Sequence, residues 1–161
     1  VLRDTTLEEM FRTGDYQPWD EETMFSTLTK MIVLFEEAGI NVIRVGLQPS
    51  RRLTTEGAVV AGLFHPALRE LCDVYLLVEK ILHQIDQHAS EQKHQHPPRL
   101  LVSNHIYKKL MSHNKQGIKW LKNRLNARAV ECQIDKDDSL SNEEVLIIEP
   151  QSIKLNTRRS S

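Results

Sequence analysis

The stretch Glu36-Glu37-Ala38-Gly39-Ile40-Asn41-Val42-Ile43-Arg44-Val45-Gly46-Leu47-Gln48-Pro49-Ser50 reads as the end of a helix, a stop, a strand and a loop. Gly39 is the stop, because glycine enters the left-handed conformation that closes a helix at little cost. Val42 to Leu47 is nearly all apolar, as in a strand covered on both faces. Gly46 and Pro49 turn the chain out at its carboxyl end. In α/β proteins such a loop is where ligands sit, since strand ends and helix starts leave backbone groups free there.

Working outward, Thr6-Leu7-Glu8-Glu9 fits a capping box with Thr6 as the cap, and Gly14 closes the short helix it opens. Asp20-Glu21-Glu22-Thr23 starts a second helix, with acids against the positive end of the dipole. Met24, Leu28, Met31, Ile32 and Phe35 mark its apolar face. After the strand, Thr54 to Ala61 is a small-residue loop that either approaches a ligand or simply turns. Pro66 suits a first helical turn, and Leu68, Leu71, Val74, Leu77, Val78, Ile81 and Ile85 carry an apolar stripe to about His88. Gln87 to Pro98 is polar, ends in Pro97-Pro98, and reads as a linker. Beyond it the spacing predicts a strand over 99–103, helices over 104–112 and 118–125, and strands over 129–134 and 144–148. Residues 150–161 read as a tail.

The 161 residues allow one domain or two small ones, and 40% hydrophobic with 27% charged is ordinary for a globular chain. A net charge of −1 gives no overall pull toward nucleic acid or membrane. Its distribution is uneven: 99–130 holds eight Lys or Arg and no acid, whereas 131–149 holds seven acids and one Lys. No apolar run approaches the roughly 20 residues needed to span a bilayer, and a membrane partner is not expected. Two cysteines, Cys72 and Cys132, suit a reducing cytoplasm and read as small buried hydrophobes. His88, His94 and His96 lack a recognised ligand spacing and read as no metal site. The opening Val1-Leu2-Arg3-Asp4-Thr5 reads like mid-domain sequence, as in a piece of a longer protein.

Three groups of residues are candidates for chemistry. Arg44, inside the apolar strand, either pairs with an acid of a neighbouring strand or holds a ligand carboxylate, because a buried unpaired charge costs several kcal/mol; pairing is the favoured reading. His65, in Phe64-His65-Pro66, sits before a helix and is either a substrate contact or a cap. Lys108, Lys109, Lys115, Lys119 and Lys122 gather in one segment with no acid to cancel them.

Leu7-Glu8-Glu9-Met10-Phe11, Phe35-Glu36-Glu37-Ala38-Gly39-Ile40, Arg44-Val45-Gly46-Leu47-Gln48-Pro49 and Phe64-His65-Pro66-Ala67 together resemble the end of the barrel in Elongator-like radical SAM enzymes. That group includes bacterial Fe-S oxidoreductases of the coproporphyrinogen oxidase-like kind. The resemblance implies α/β plus α+β architecture: the last helix–strand units of a partial TIM-like barrel over 1–65, a connecting helix and linker over 66–98, an accessory domain over 99–149, and the tail. It places Val45, Gly46, Leu47 and Gln48 on the adenosyl side of S-adenosylmethionine, with Gly46 permitting close approach. It implies S-adenosylmethionine and a [4Fe–4S] cluster in the full-length parent, and none bound to this chain alone, which lacks the family's Cys-x-x-x-Cys-x-x-Cys.

Ile106 to Leu121 resembles the core of a KH domain, where two helices and a four-residue glycine-bounded turn clamp single-stranded nucleic acid. Ser112 and Lys115 stand where the turn's glycines would be, and Gly117 comes two residues late. The plain alternative is a solvated basic helix pair over Leu110, Ile118, Leu121 and Leu125. The resemblances imply a carboxyl-terminal part of a radical SAM enzyme, not catalytic alone, whose partners are the rest of the barrel and RNA, including tRNA. A porphyrin precursor would call for an arginine cluster, and none is seen. A stand-alone RNA-binding module and a protein-interaction domain are the competing readings.

Overall fold

The computed structural model describes residues 1–89, 99–136, 140–141 and 145–148. The linker histidines His94 and His96, the side chain of His88, and the tail from 150 lie outside the described residues. The elements are α1 (Thr6–Thr13), α2 (Glu21–Glu37), α3 (Arg51–Thr54), α4 (Leu68–Ala89), β1 (Arg99–Val102), α5 (Asn104–Arg124), β2 (Glu131–Ile134) and β3 (Val145–Ile148). They form two compact units, Val1–Leu76 and Leu77–Ser161, the division falling within α4. Among the described residues no helix is long and apolar enough to cross a membrane.

In the first unit, α1 is capped one residue earlier than the Thr6 register predicts. The Thr5 hydroxyl accepts from the Glu8 amide at 3.3 Å, and the Glu8 carboxylate accepts from the Asp4 amide at 2.7 Å. Thr5-Thr6-Leu7-Glu8-Glu9 offers the pattern in two registers. The earlier one prevails because Thr5 also donates to the Leu2 carbonyl at 2.7 Å and Glu8 receives Arg12 at 2.6 Å. The Asp4 amide first, and then the Arg12 guanidinium, hold the Glu8 carboxyl below its ordinary value of 4.5. Its folded value being depressed, its contribution is complete above pH 4.5 and is lost as pH falls through the folded value. The stability difference between wild type and Glu8→Gln is expected to be full and constant above pH 4.5, and to vanish in acid unfolding as pH falls through the lower folded value.

Asp20 caps α2, accepting from the Thr23 amide at 2.8 Å and the Thr23 hydroxyl at 2.9 Å. The buried face of α2 is Phe25, Thr29 and Ile32, not the whole predicted stripe. Met24 and Leu28 are half-buried, whereas Met31 and Phe35 are exposed. Apolar residues occupy more than one side of this helix, and α4 selects which side is covered: Phe25 stacks on Tyr75, ring centroids 5.6 Å apart, while the Tyr75 hydroxyl donates to Glu22 at 2.8 Å. Gly39 ends the helix as expected. At φ +71° it lets the Ile40 amide reach back to the Phe35 carbonyl at 2.8 Å.

The predicted strand over Val42–Leu47 does not form. The segment has no ladder partner, Ile43 is 91% exposed and Leu47 58%. A strand exists only through hydrogen bonds to a neighbour, and the described residues of this unit supply none there. An antiparallel bridge joins Leu2 to Val59, flanked by Arg3 amide to Ala58 carbonyl and Val60 amide to Val1 carbonyl, both 2.9 Å. It occupies the Thr54–Ala61 loop, which therefore turns back onto the chain's first residues.

The second unit follows the predicted order of strand, helix, helix, strand, strand. Its sheet runs β2-β1-β3, with β1 parallel to β2 and antiparallel to β3. Leu100 and Val102 alternate inward on β1, and Ile106, Leu110, Trp120 and Leu121 of α5 are buried with them. α5 is two helices in practice. Its backbone leaves helical geometry at Ser112 and passes through left-handed conformations at His113, Asn114 and Lys115, with φ of 46°, 59° and 62°.

Candidate functional site

The loop after the unformed strand comes first. Val45 is half-buried; Gly46, Leu47 and Gln48 are exposed. Gly46 has φ +80°, and a Cβ built on it would stand 2.7 Å from Leu68 Cδ2. The close approach that demands glycine there is made by the chain's own α4. Ser50 then caps α3, its hydroxyl accepting from Leu53 at 3.3 Å.

Arg44 is exposed rather than buried in a strand. With no strand and no second covering layer, its guanidinium stays in water, and the burial cost that called for a partner is absent. His65 is half-buried, and its Nδ1 accepts from the Ala67 amide at 3.1 Å. This bond is a capping contact just before α4. That bond leaves the proton of a neutral ring on Nε2.

A concavity of about 320 Å³ opens where the first residues cross the 53–58 loop, lined by Leu2, Arg3, Asp4, Leu53 and Glu56 among others. Arg3 Nε spans it to the Gly57 carbonyl at 2.8 Å. The small residues of 54–61 were its only sequence signal, and its far wall, Leu2 to Asp4, comes from a region distant in the chain.

The turn in α5 lies at Ser112–Lys115, the position of the clamp predicted from sequence. The Ser112 hydroxyl is engaged, donating to the Lys109 carbonyl at 2.7 Å. Gly117 belongs to the packing instead: its missing Cβ would meet Leu110 Cδ2 at 2.9 Å, Cα at 3.0 Å and O at 3.1 Å. Glycine is what lets the two helices cross so closely. Lys108, Lys115 and Lys119 are exposed, and Lys109 and Lys122 half-buried. Two arginines of this unit are ion-paired, Arg99 with Glu131 at 2.8 Å and Arg124 with Glu79 at 3.0 Å. The five lysines have no ion pair among the described residues.

Residues 1–78 match the family model of the Radical_SAM C-terminal domain, which supports a radical SAM C-terminal region in the first part of the chain. No curated protein and no solved structure matches the chain.

The iron–sulfur cluster of such enzymes does not fit this chain's own residues. Cys72 is buried in the first unit and Cys132 lies in the second. Burial pushes both thiols up to about 11, away from the thiolate a cluster needs. Among the described residues no group of three or more His, Cys, Asp or Glu stands ready to hold a metal ion.

Proposed function

We propose that this chain is the carboxyl-terminal part of a radical SAM iron–sulfur oxidoreductase, with residues 1–65 completing the barrel wall and 99–149 forming a KH-like accessory domain that grips an RNA substrate such as tRNA. The observation that carries the first half is the unpaired apolar segment Val42–Leu47, inside the residues that match the radical SAM C-terminal family. A run with Ile43 91% exposed is made to be covered. A neighbouring barrel strand supplied by the rest of the parent gives it backbone partners and a dry face.

In that setting S-adenosylmethionine, reduced by a cluster on the parent's own cysteines, supplies the radical chemistry. This chain's part is binding. Val45, Gly46, Leu47 and Gln48 would offer backbone and side-chain contacts to the adenosyl group, and the exposed Arg44 would meet a substrate anion, with His65 as a further substrate contact. Reconstituting the full-length parent anaerobically and measuring 5′-deoxyadenosine from S-adenosylmethionine under reduction tests the reading. Production is expected. None from a parent whose cluster is verified would overturn it.

The turn within α5 favours a second reading, a nucleic-acid-binding module for which the first unit is scaffold. Two helices joined by a left-handed turn, over a three-stranded sheet and flanked by lysines with no ion pair among the described residues, support it. RNA binding that falls steeply with salt is its signature, because phosphate contacts release counterions.

A further inference from the structure

We infer that the Ser112–Lys115 turn holds a single-stranded nucleic acid through lysine side chains alone, without the backbone approach that a glycine-bounded turn provides. The inference rests on the nucleic-acid reading of the second unit and names how that surface works. Every residue from Ser112 to Lys115 carries a Cβ, and three of them hold it in the left-handed region that L-residues rarely adopt. These side chains stand between a phosphate and the turn's amides. Ser112 is already engaged with Lys109, and Gly117, the one glycine nearby, is buried against Leu110.

Cations are what remain. On the second helix Gly117, Trp120 and Leu121 face the core, so Lys119 and Lys122, three residues apart, lie on the opposite side. Lys115 enters that helix from the turn, and Lys108 is exposed on the helix before it. Lysine acts as a hydrated point charge, without the bidentate geometry of arginine, so it grips phosphates with little selectivity. Tyr107, half-buried next to Lys108, offers a ring on which a base can stack, a contact an acidic peptide would not use.

The test is fluorescence anisotropy of the whole 161-residue chain with a labelled mixed-sequence RNA oligonucleotide, from 50 to 200 mM KCl. Four or five phosphate contacts predict a log–log salt slope of about −3 and a loss of affinity of roughly 50- to 100-fold over that range. Lys115→Ala, Lys119→Ala and Lys122→Ala are each expected to make the slope shallower by about 0.7. Lys115→Gly is expected to behave as Lys115→Ala does. Tighter binding by Lys115→Gly, or by Ser112→Gly with Lys115→Gly, would mean that the backbone is the phosphate site and would overturn the inference while leaving the nucleic-acid reading intact. Slopes unchanged in all three alanine variants would do the same. Absence of RNA binding at 50 mM KCl would remove the nucleic-acid reading itself, and equal displacement of RNA by polyglutamate would reassign the surface to an acidic protein segment.

Discussion

Replacing Phe25 by alanine is expected to destabilise the first unit by about 3–5 kcal/mol. Phe25 is 1% exposed and is the largest side chain fully buried in that unit. It stacks on Tyr75 with the rings 15° from parallel, and Tyr75 in turn reaches Glu22 one turn before Phe25 on α2. Removing the ring takes away the transfer energy, leaves a cavity between α2 and the start of α4, and frees Tyr75 from the stack that orients its hydroxyl. The remaining buried residues of α2, Thr29 and Ile32, cannot fill that space from their own turns. Urea unfolding followed by far-ultraviolet circular dichroism measures the loss. A change below about 1 kcal/mol would show that the two helices collapse onto each other and that the stack does not organise this core.

The second large effect lies at the crossing in α5. Leu110→Ala is expected to cost about 2–5 kcal/mol, since the side chain is fully buried and packs against Gly117 of the helix that follows the turn. Gly117→Ala is expected to destabilise by about 1–3 kcal/mol although alanine is the better helix former, because its Cβ meets Leu110 backbone atoms at 3.0 and 3.1 Å. The two are coupled. Truncating Leu110 removes the Cδ2 contact at 2.9 Å but not the backbone ones, so the double variant should lose less than the sum of the singles. Strict additivity in thermal or urea unfolding would place Gly117 outside the crossing.

What the sequence made legible is the part governed by local chemistry. Gly14 and Gly39 were read as stops and serve as such, and Asp20-Glu21-Glu22-Thr23 marked the start of the helix that Asp20 caps, because helix ends are decided within a few residues. The order of elements after Arg99 was legible for the same reason: alternation in Leu100–Val102 and a break between two amphipathic runs are local signals. Thr5 against Thr6 was not, since two overlapping registers differ only in what Leu2, Asp4 and Arg12 contribute. Arg44 and the strand around it were misread because a ladder depends on a neighbour, and apolar composition says only that a segment prefers to be covered. Which face of α2 is buried also waited on α4. Gly117 looked like a displaced turn residue, when its role is set by Leu110 seven positions away. The lysines of the helix pair were legible as a cluster, but that Glu79 and Glu131 pair with Arg124 and Arg99 depends on where those acids fold.

The uncovered run from Asn41 to Leu47 bears on when this polypeptide finishes folding. Its amides have no backbone partner among the described residues, and Gly46 against Leu68 is its point of close packing. Fixing a residue's backbone costs about 1–2 kcal/mol of conformational entropy, and here that cost is not met within the unit. It is transferred to whatever covers the run. A strand that paired with the run would make a coupled ordering and association step, with the heat-capacity drop and unfavourable entropy of such steps, so its affinity would be lower than the apolar area suggests and would rise with anything that straightens the run beforehand.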